Sequence, residues 1–303
     1  MTKIDLITGF LGAGKTTFIT QYVRLLMDQG LHVCILENDF GAVNIDRMLV
    51  EQLGCDIEMV AGGCDYDCHR RRFRTKLIAM GMLGYDRVIV EPSGIYDVDE
   101  FYDALQEEPL DRWYTIGSVV ALVDARLPEA LSPESEYLLA SEAATAGAIV
   151  FSHCSAVPEN VLEHLNRACA GIRCRRQFLR DEVRTFNGGT LTPEDLTFLT
   201  NCGYRPEAYE KQQLMDENGY DTLYLMQREM TPALLKGRVA RLFADPAYGH
   251  VIRVKGFLKA DDSWLELNAT QDHLDLRPSA AGQEVLIVIG EALQESAVLS
   301  LFP

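Results

Sequence analysis

Short runs of apolar residues alternate with longer stretches of helical period through the first half of the chain. The run Lys3–Thr8 predicts a buried strand. In Lys15–Gln29 (KTTFITQYVRLLMDQ) apolar residues recur at helical spacing, and Gly30 supplies a stop. The same alternation continues: a strand at His32–Leu36, a helical segment from near Asp46, a helix at Arg70–Leu83 and a β-branched strand at Arg87–Val90. A helix at Val98–Gln106 and a strand at Ile116–Val123 follow. Ser132 and Pro133 have the chemistry of an N-cap and a first helical residue, which starts a helix running to about Ala146. A strand at Ala148–Phe151 and a helix at Pro158–Ala170 complete the series. Continuous apolar strands alternating with helices specify an α/β fold, a doubly wound, mostly parallel sheet covered on both faces.

That regime ends near residue 185. Residues 187–230 are polar and rich in turn formers (FNGG, NCGYRPE), and read as a connector with local structure. A helix at 233–243, strands at 250–259, Trp264–Leu267 and 284–290, and a closing helix at 292–302 then predict a smaller α+β unit. The expected division is 1–186, a connector at 187–230, and 231–303. A length of 303 residues fits two domains better than one core.

Composition narrows the class. Hydrophobic residues make up 48% and charged residues 24%, as in an ordinary globular chain. A net charge of −17 excludes an extended nucleic-acid or anionic-membrane surface, since both need a positive footprint. No window approaches the roughly 18 consecutive apolar residues of a membrane-crossing helix, and the N-terminus lacks a secretory apolar region. A cytoplasmic location is expected. There the eight cysteines are core thiols or metal ligands rather than a disulfide framework.

Gly9–Thr16 (GFLGAGKT) matches G-x-x-x-x-G-K-[ST] in full, after a strand and before a helix. Glycines let the backbone wrap a polyphosphate, and the loop amides point at it. Gly9, Gly12, Ala13 and Gly14 form that cradle, Lys15 reaches the β- and γ-phosphates, Thr16 ligates Mg²⁺, and Thr17 lies next on the helix. The strand at 87–90 ends in Glu91-Pro-Ser93-Gly94, where a carboxylate beside the phosphate loop suits Mg²⁺ and a glycine amide suits a γ-phosphate. Lys15, Thr16 and Glu91 are the expected catalytic groups. The segment Ile35–Asp46 (ILENDFGAVNID) carries Glu37 and Asp39 and reads either as a switch sensing Mg²⁺ or as a solvated acidic loop.

Between these segments lies AGGCDYDCHRRRF, with Cys64 and Cys68 four positions apart. On a helix both thiols share one face and can grip one ion, with Asp65, Asp67, His69 or Glu37 as further ligands. Zn²⁺, Co²⁺ and Ni²⁺ all suit such a mixed set. Two ordinary thiols in a loop are the alternative.

GFLGAGKTT, ENDFG followed by NID, the glycine-cysteine loop, EPSG, and the distal GHVIRVKGFL and VLIVIG occur in that order, and together resemble the CobW family of P-loop GTPases, related to the UreG and HypB metallochaperones. The resemblance implies a GTPase domain followed by a CobW C-terminal domain, low intrinsic GTP turnover, and delivery of a transition metal or metal cofactor to a metalloprotein client; a homo-oligomer is open. It places Glu37 and Asp39 in a first switch and Glu91, Ser93 and Gly94 in a second, with Asp39 joining Thr16 and Glu91 at Mg²⁺. The chain departs from the family pattern at three places. Cys64-Asp-Tyr-Asp-Cys68 replaces Cys-x-Cys-Cys, Ala42 stands where a Glu is usual, and Ser152-His153-Cys-Ser155 occupies the place of the guanine-reading Asn-Lys-x-Asp. GTP, ATP, weak base selectivity and a readout through Ser152 and His153 all remain open on this basis. A small-molecule kinase and a non-hydrolysing binding module are the rival functions.

Overall fold

A computed structural model describes residues 1–39, 54–61, 66–211, 220–228, 230–260, 263–279 and 282–303. The chain forms two compact units, Met1–Gln213 and Leu214–Pro303. In the first, β1 (Thr2–Gly9), β2 (Val33–Asp39), β3 (Asp56–Ala61), β4 (Arg87–Pro92), β5 (Tyr114–Asp124), β6 (Ala148–Ser152) and β7 (Arg184–Phe186) make a parallel sheet in the order β3-β2-β4-β1-β5-β6-β7. Helices α1 (Lys15–Asp28), α2 (Tyr66–Gly81), α3 (Val98–Gln106), α4 (Leu110–Trp113), α5 (Pro133–Ala144), α6 (Glu159–Gly171) and α7 (Pro193–Leu199) belong to the same unit.

The predicted elements recur with ends shifted by a few residues, as frayed boundaries allow. Ser132 caps α5 by accepting from the Ser135 amide. Helix α2 starts at Tyr66 rather than Arg70, so Cys68 and His69 lie in its first turn. The helical segment expected near Asp46 falls outside the described residues.

One apolar layer joins α1 to the sheet through Phe18, Tyr22 and Leu26 against Ile7, Ile35, Ile89 and Val120. Leu191, Leu196 and Leu199 complete this layer. The stretch after residue 187, read as connector, is therefore core of the first unit as far as it carries these leucines; the polar residues around them masked the signal. At the amino-terminal end of the sheet Arg87 donates to Asp5 twice, through Nε at 2.6 Å and Nη2 at 2.9 Å, and to the Thr200 carbonyl at 2.5 Å. Tyr22 and the Ser118 amide also donate to Asp5. Burial pushes the Asp5 carboxyl up despite Arg87.

The second unit is an antiparallel sheet of β8 (Asp221–Met226), β9 (His250–Ala260), β10 (Ser263–Thr270), β11 (His273–Ser279) and β12 (Val285–Glu291), in the order β11-β10-β9-β12-β8. Helices α8 (Pro232–Ala244) and α9 (Glu295–Leu301) pack on it through Leu235, Val239, Leu242 and Val298. Strands β8 and β11 were not expected from sequence, since β11 in particular is half-exposed along its length. Among the described residues no helix is long and apolar enough to cross a membrane.

Candidate nucleotide-binding site

The phosphate loop spans the gap between β1 and α1. Gly12 and Gly14 hold φ of +86° and +79°, a region costly for side-chain-bearing residues. Gly9 is constrained by space, because a Cβ there would come within 2.5 Å of the Leu122 carbonyl oxygen. The Ala13 amide closes the turn on the Phe10 carbonyl at 3.1 Å. Gly14 caps α1 without a side-chain bond and the first turn holds no acid, so the helix amides and dipole face the loop.

Lys15 is buried and folds back to donate to the Gly9 carbonyl at 2.7 Å. Thr16 donates to Glu91 Oε1 at 2.6 Å. Helix α1 and the end of β4 thus bring together two of the three groups expected at Mg²⁺. Thr17 is exposed. Gly94 abuts the loop so closely that a Cβ there would lie 2.8 Å from the Leu11 amide nitrogen. The Ser93 amide donates to the Asn38 carbonyl at 2.8 Å, tying the loop after β4 to the end of β2.

Glu37 is buried in β2, in register with Glu91 of β4. Strand alternation puts Glu37 on the face of Ile35 and α1, and Asn38 on the other. His69, wholly buried, donates from Nε2 to Asn38 Oδ1 at 2.7 Å. The structure therefore places His69 and Glu37 on opposite faces of β2. Cys68 is half-buried. Asp39 ends β2 and Asp67 lies in the first turn of α2; their side chains, and Cys64 and Asp65 entirely, fall outside the described residues.

At the end of β6, Ser152 is buried and donates to the Val123 carbonyl at 3.4 Å. His153, at φ +58°, donates from Nε2 to the Gly12 carbonyl at 3.1 Å.

Residues 3–180 match the family CobW/HypB/UreG, nucleotide-binding domain. The chain belongs to the CobW/HypB/UreG family. Two curated relatives from Escherichia coli are similar to it: the zinc chaperone YjiA, 31% identical over 130 residues, covering 40% of this chain and 40% of the relative, and the zinc chaperone YeiR, 31% identical over 128 residues, covering 42% and 39%. The chain thus spans about two fifths of the length of the curated relatives it matches. The crystal structure of Zn(II)-bound YjiA GTPase from E. coli is similar at 17% identity and a TM-score of 0.35, covering 99% of this chain and 98% of that one.

One buried group of this CobW/HypB/UreG chain escapes sequence reading. Glu142 of α5 accepts from Thr8 Oγ1 at 2.9 Å, directly behind the phosphate loop. Burial raises its carboxyl to about 8, while Lys15, Thr8 and the Gly9 amide pull the other way. The only signal was a glutamate inside the otherwise small and apolar stretch LLASEAATA.

Proposed function

We propose that this chain is a cytoplasmic, Mg²⁺-dependent P-loop GTPase that couples nucleotide state to the capture of a transition metal and its delivery to a metalloprotein client. The observation that carries the reading is the contiguity of Thr16, Glu91 and Glu37. The hydroxyl–carboxylate pair of the nucleotide site adjoins, across one strand register, the buried carboxylate of Glu37, one of the candidate ligands for a metal held by the cysteine segment.

Thr16 and Glu91 are hard oxygen donors held 2.6 Å apart, a set that suits Mg²⁺. When bound, Mg²⁺ neutralises charge on the β- and γ-phosphates. The loop amides hold the phosphates in place, and Lys15 leaves the Gly9 carbonyl to meet them. Gly94, against Leu11, offers its amide near the γ-phosphate. For the cargo, Cys64 and Cys68 supply thiolates and Glu37, Asp67 or His69 complete the set. His69 uses Nε2 on Asn38, so its metal bond would come from Nδ1, with Asn38 orienting the ring. Two thiolates with N and O donors favour Zn²⁺, ahead of Co²⁺ or Ni²⁺. The relatives named as zinc chaperones support zinc.

The test is a metal titration with and without Mg-GTP. The parent should bind about one Zn²⁺ per chain, as expected for a single two-thiolate site, with an affinity that depends on nucleotide. Lys15→Ala should abolish hydrolysis, and the Cys64→Ala, Cys68→Ala double variant should lose tight zinc binding. Nucleotide-independent zinc affinity would refute the coupling. Transfer of phosphate to a small molecule, without release of orthophosphate, would replace this reading by a kinase.

A further inference from the structure

Thr16 and Glu91 mark the terminal-phosphate end of the site, on the β4 side of β1. A nucleotide seated on the phosphate loop therefore extends its nucleoside the other way, over the carboxyl ends of β5, β6 and β7. Asp124 ends β5, His153 and Ser155 follow β6, and Asn187 follows β7. The bond from His153 to Gly12 docks this wall on the phosphate loop.

Guanine presents N1–H and N2–H donors, and a site that selects it needs an acceptor such as an ionised carboxylate. Asp124 is turned to Arg126 through both oxygens, and His153 Nε2 lies 3.7 Å from its Oδ2. Its Oδ1 accepts the Arg126 amide at 2.9 Å and Nε at 3.0 Å, and its Oδ2 accepts Nη2 at 2.8 Å. Ser155 and Asn187 are neutral and bonded to each other, Asn187 Nδ2 donating to Ser155 Oγ at 3.1 Å. The Gly189 amide donates to Asn187 Oδ1 at 2.9 Å, which fixes the amide orientation. Ser155 Oγ is thus an acceptor already in use, and its own hydrogen is left to donate. Such a donor meets adenine N1 or guanine O6 equally well.

Resting on the nucleotide-binding reading above, we infer that the base pocket formed by Ser155, Asn187 and Asp124 does not select guanine, and that the chain binds adenine and guanine nucleotides with comparable affinity.

Calorimetry with GDP and with ADP, each with Mg²⁺, on the parent and on Ser155→Asp tests this. Ser155 is exposed, so the substitution leaves the core intact. The parent should bind both nucleotides within about tenfold of each other, since no buried acceptor is lost on exchanging the base. Ser155→Asp should shift the ratio toward GDP by at least about tenfold. A parent preference for GDP beyond about a hundredfold would overturn the inference, and so would an unchanged ratio in the variant. If the parent binds neither nucleotide, the proposed function itself fails, a result distinguishable from loss of base neutrality.

Discussion

Glu37 and Glu91 stand in register on neighbouring parallel strands, both buried, with Thr16 bonded to the second. Strands in a sheet lie about 4.8 Å apart, so a cation at either carboxylate changes the field at the other. Glu37→Gln keeps the shape and removes the charge. We expect it to weaken Mg-nucleotide affinity only modestly in the absence of zinc, since Thr16 and Glu91 are kept. The zinc-induced change in that affinity, about tenfold for ordinary coupling between sites, should collapse toward one. Nucleotide titrations at fixed free zinc measure this, and an undiminished zinc effect would remove Glu37 from the linkage.

The Asp5–Arg87 pair gives a prediction about stability. Arg87→Met would strand a carboxylate that is wholly inaccessible to solvent and still bonded to Tyr22 and Ser118. Breaking a buried pair from one side costs about 3–5 kcal/mol. Urea denaturation should therefore show a large drop in midpoint. Adding Asp5→Asn should recover part of the loss; if the double variant is no better than the single, the penalty does not come from the stranded charge.

Glu142 predicts a pH dependence. Its carboxyl is raised from 4.5 to about 8 in the folded chain, by burial. Between those values the folded state holds a proton that the unfolded state has released, so stability falls as pH rises through this window. Glu100, raised to about 8 by burial and by Asp97, acts in the same direction. Unfolding midpoints at a series of pH values should decline less steeply in Glu142→Gln than in the parent. An equal decline in both would mean that Glu142 does not titrate in this range.

The first unit was legible where period and punctuation agreed. Helix α3 falls on its predicted residues because Asp97 caps it and its apolar face is regular. The phosphate loop was legible because glycine spacing there is dictated by backbone geometry. Strand β3 and helix α7 were not, since Asp56–Ala61 mixes acids with apolar residues and Pro193–Leu199 is a single short amphipathic stretch. The candidate site divides in the same way. Thr16 and Glu91 are local features of two motifs, and the parallel pairing of β1 with β4 juxtaposes them. The burial of Glu142 against Thr8 is a product of packing between distant segments, whereas the bonds from Arg126 to Asp124 form within one turn; no motif announces either.

Asn38 offers its two oxygens to two different clients. Its main-chain oxygen receives the loop that follows β4, and its side-chain oxygen receives the first turn of the cysteine-bearing helix. Both are tethered to one strand residue, so a displacement of that loop would act on the residue that also holds His69. The loop after β4 and the first turn of the helix thus share a single residue as their anchor on β2.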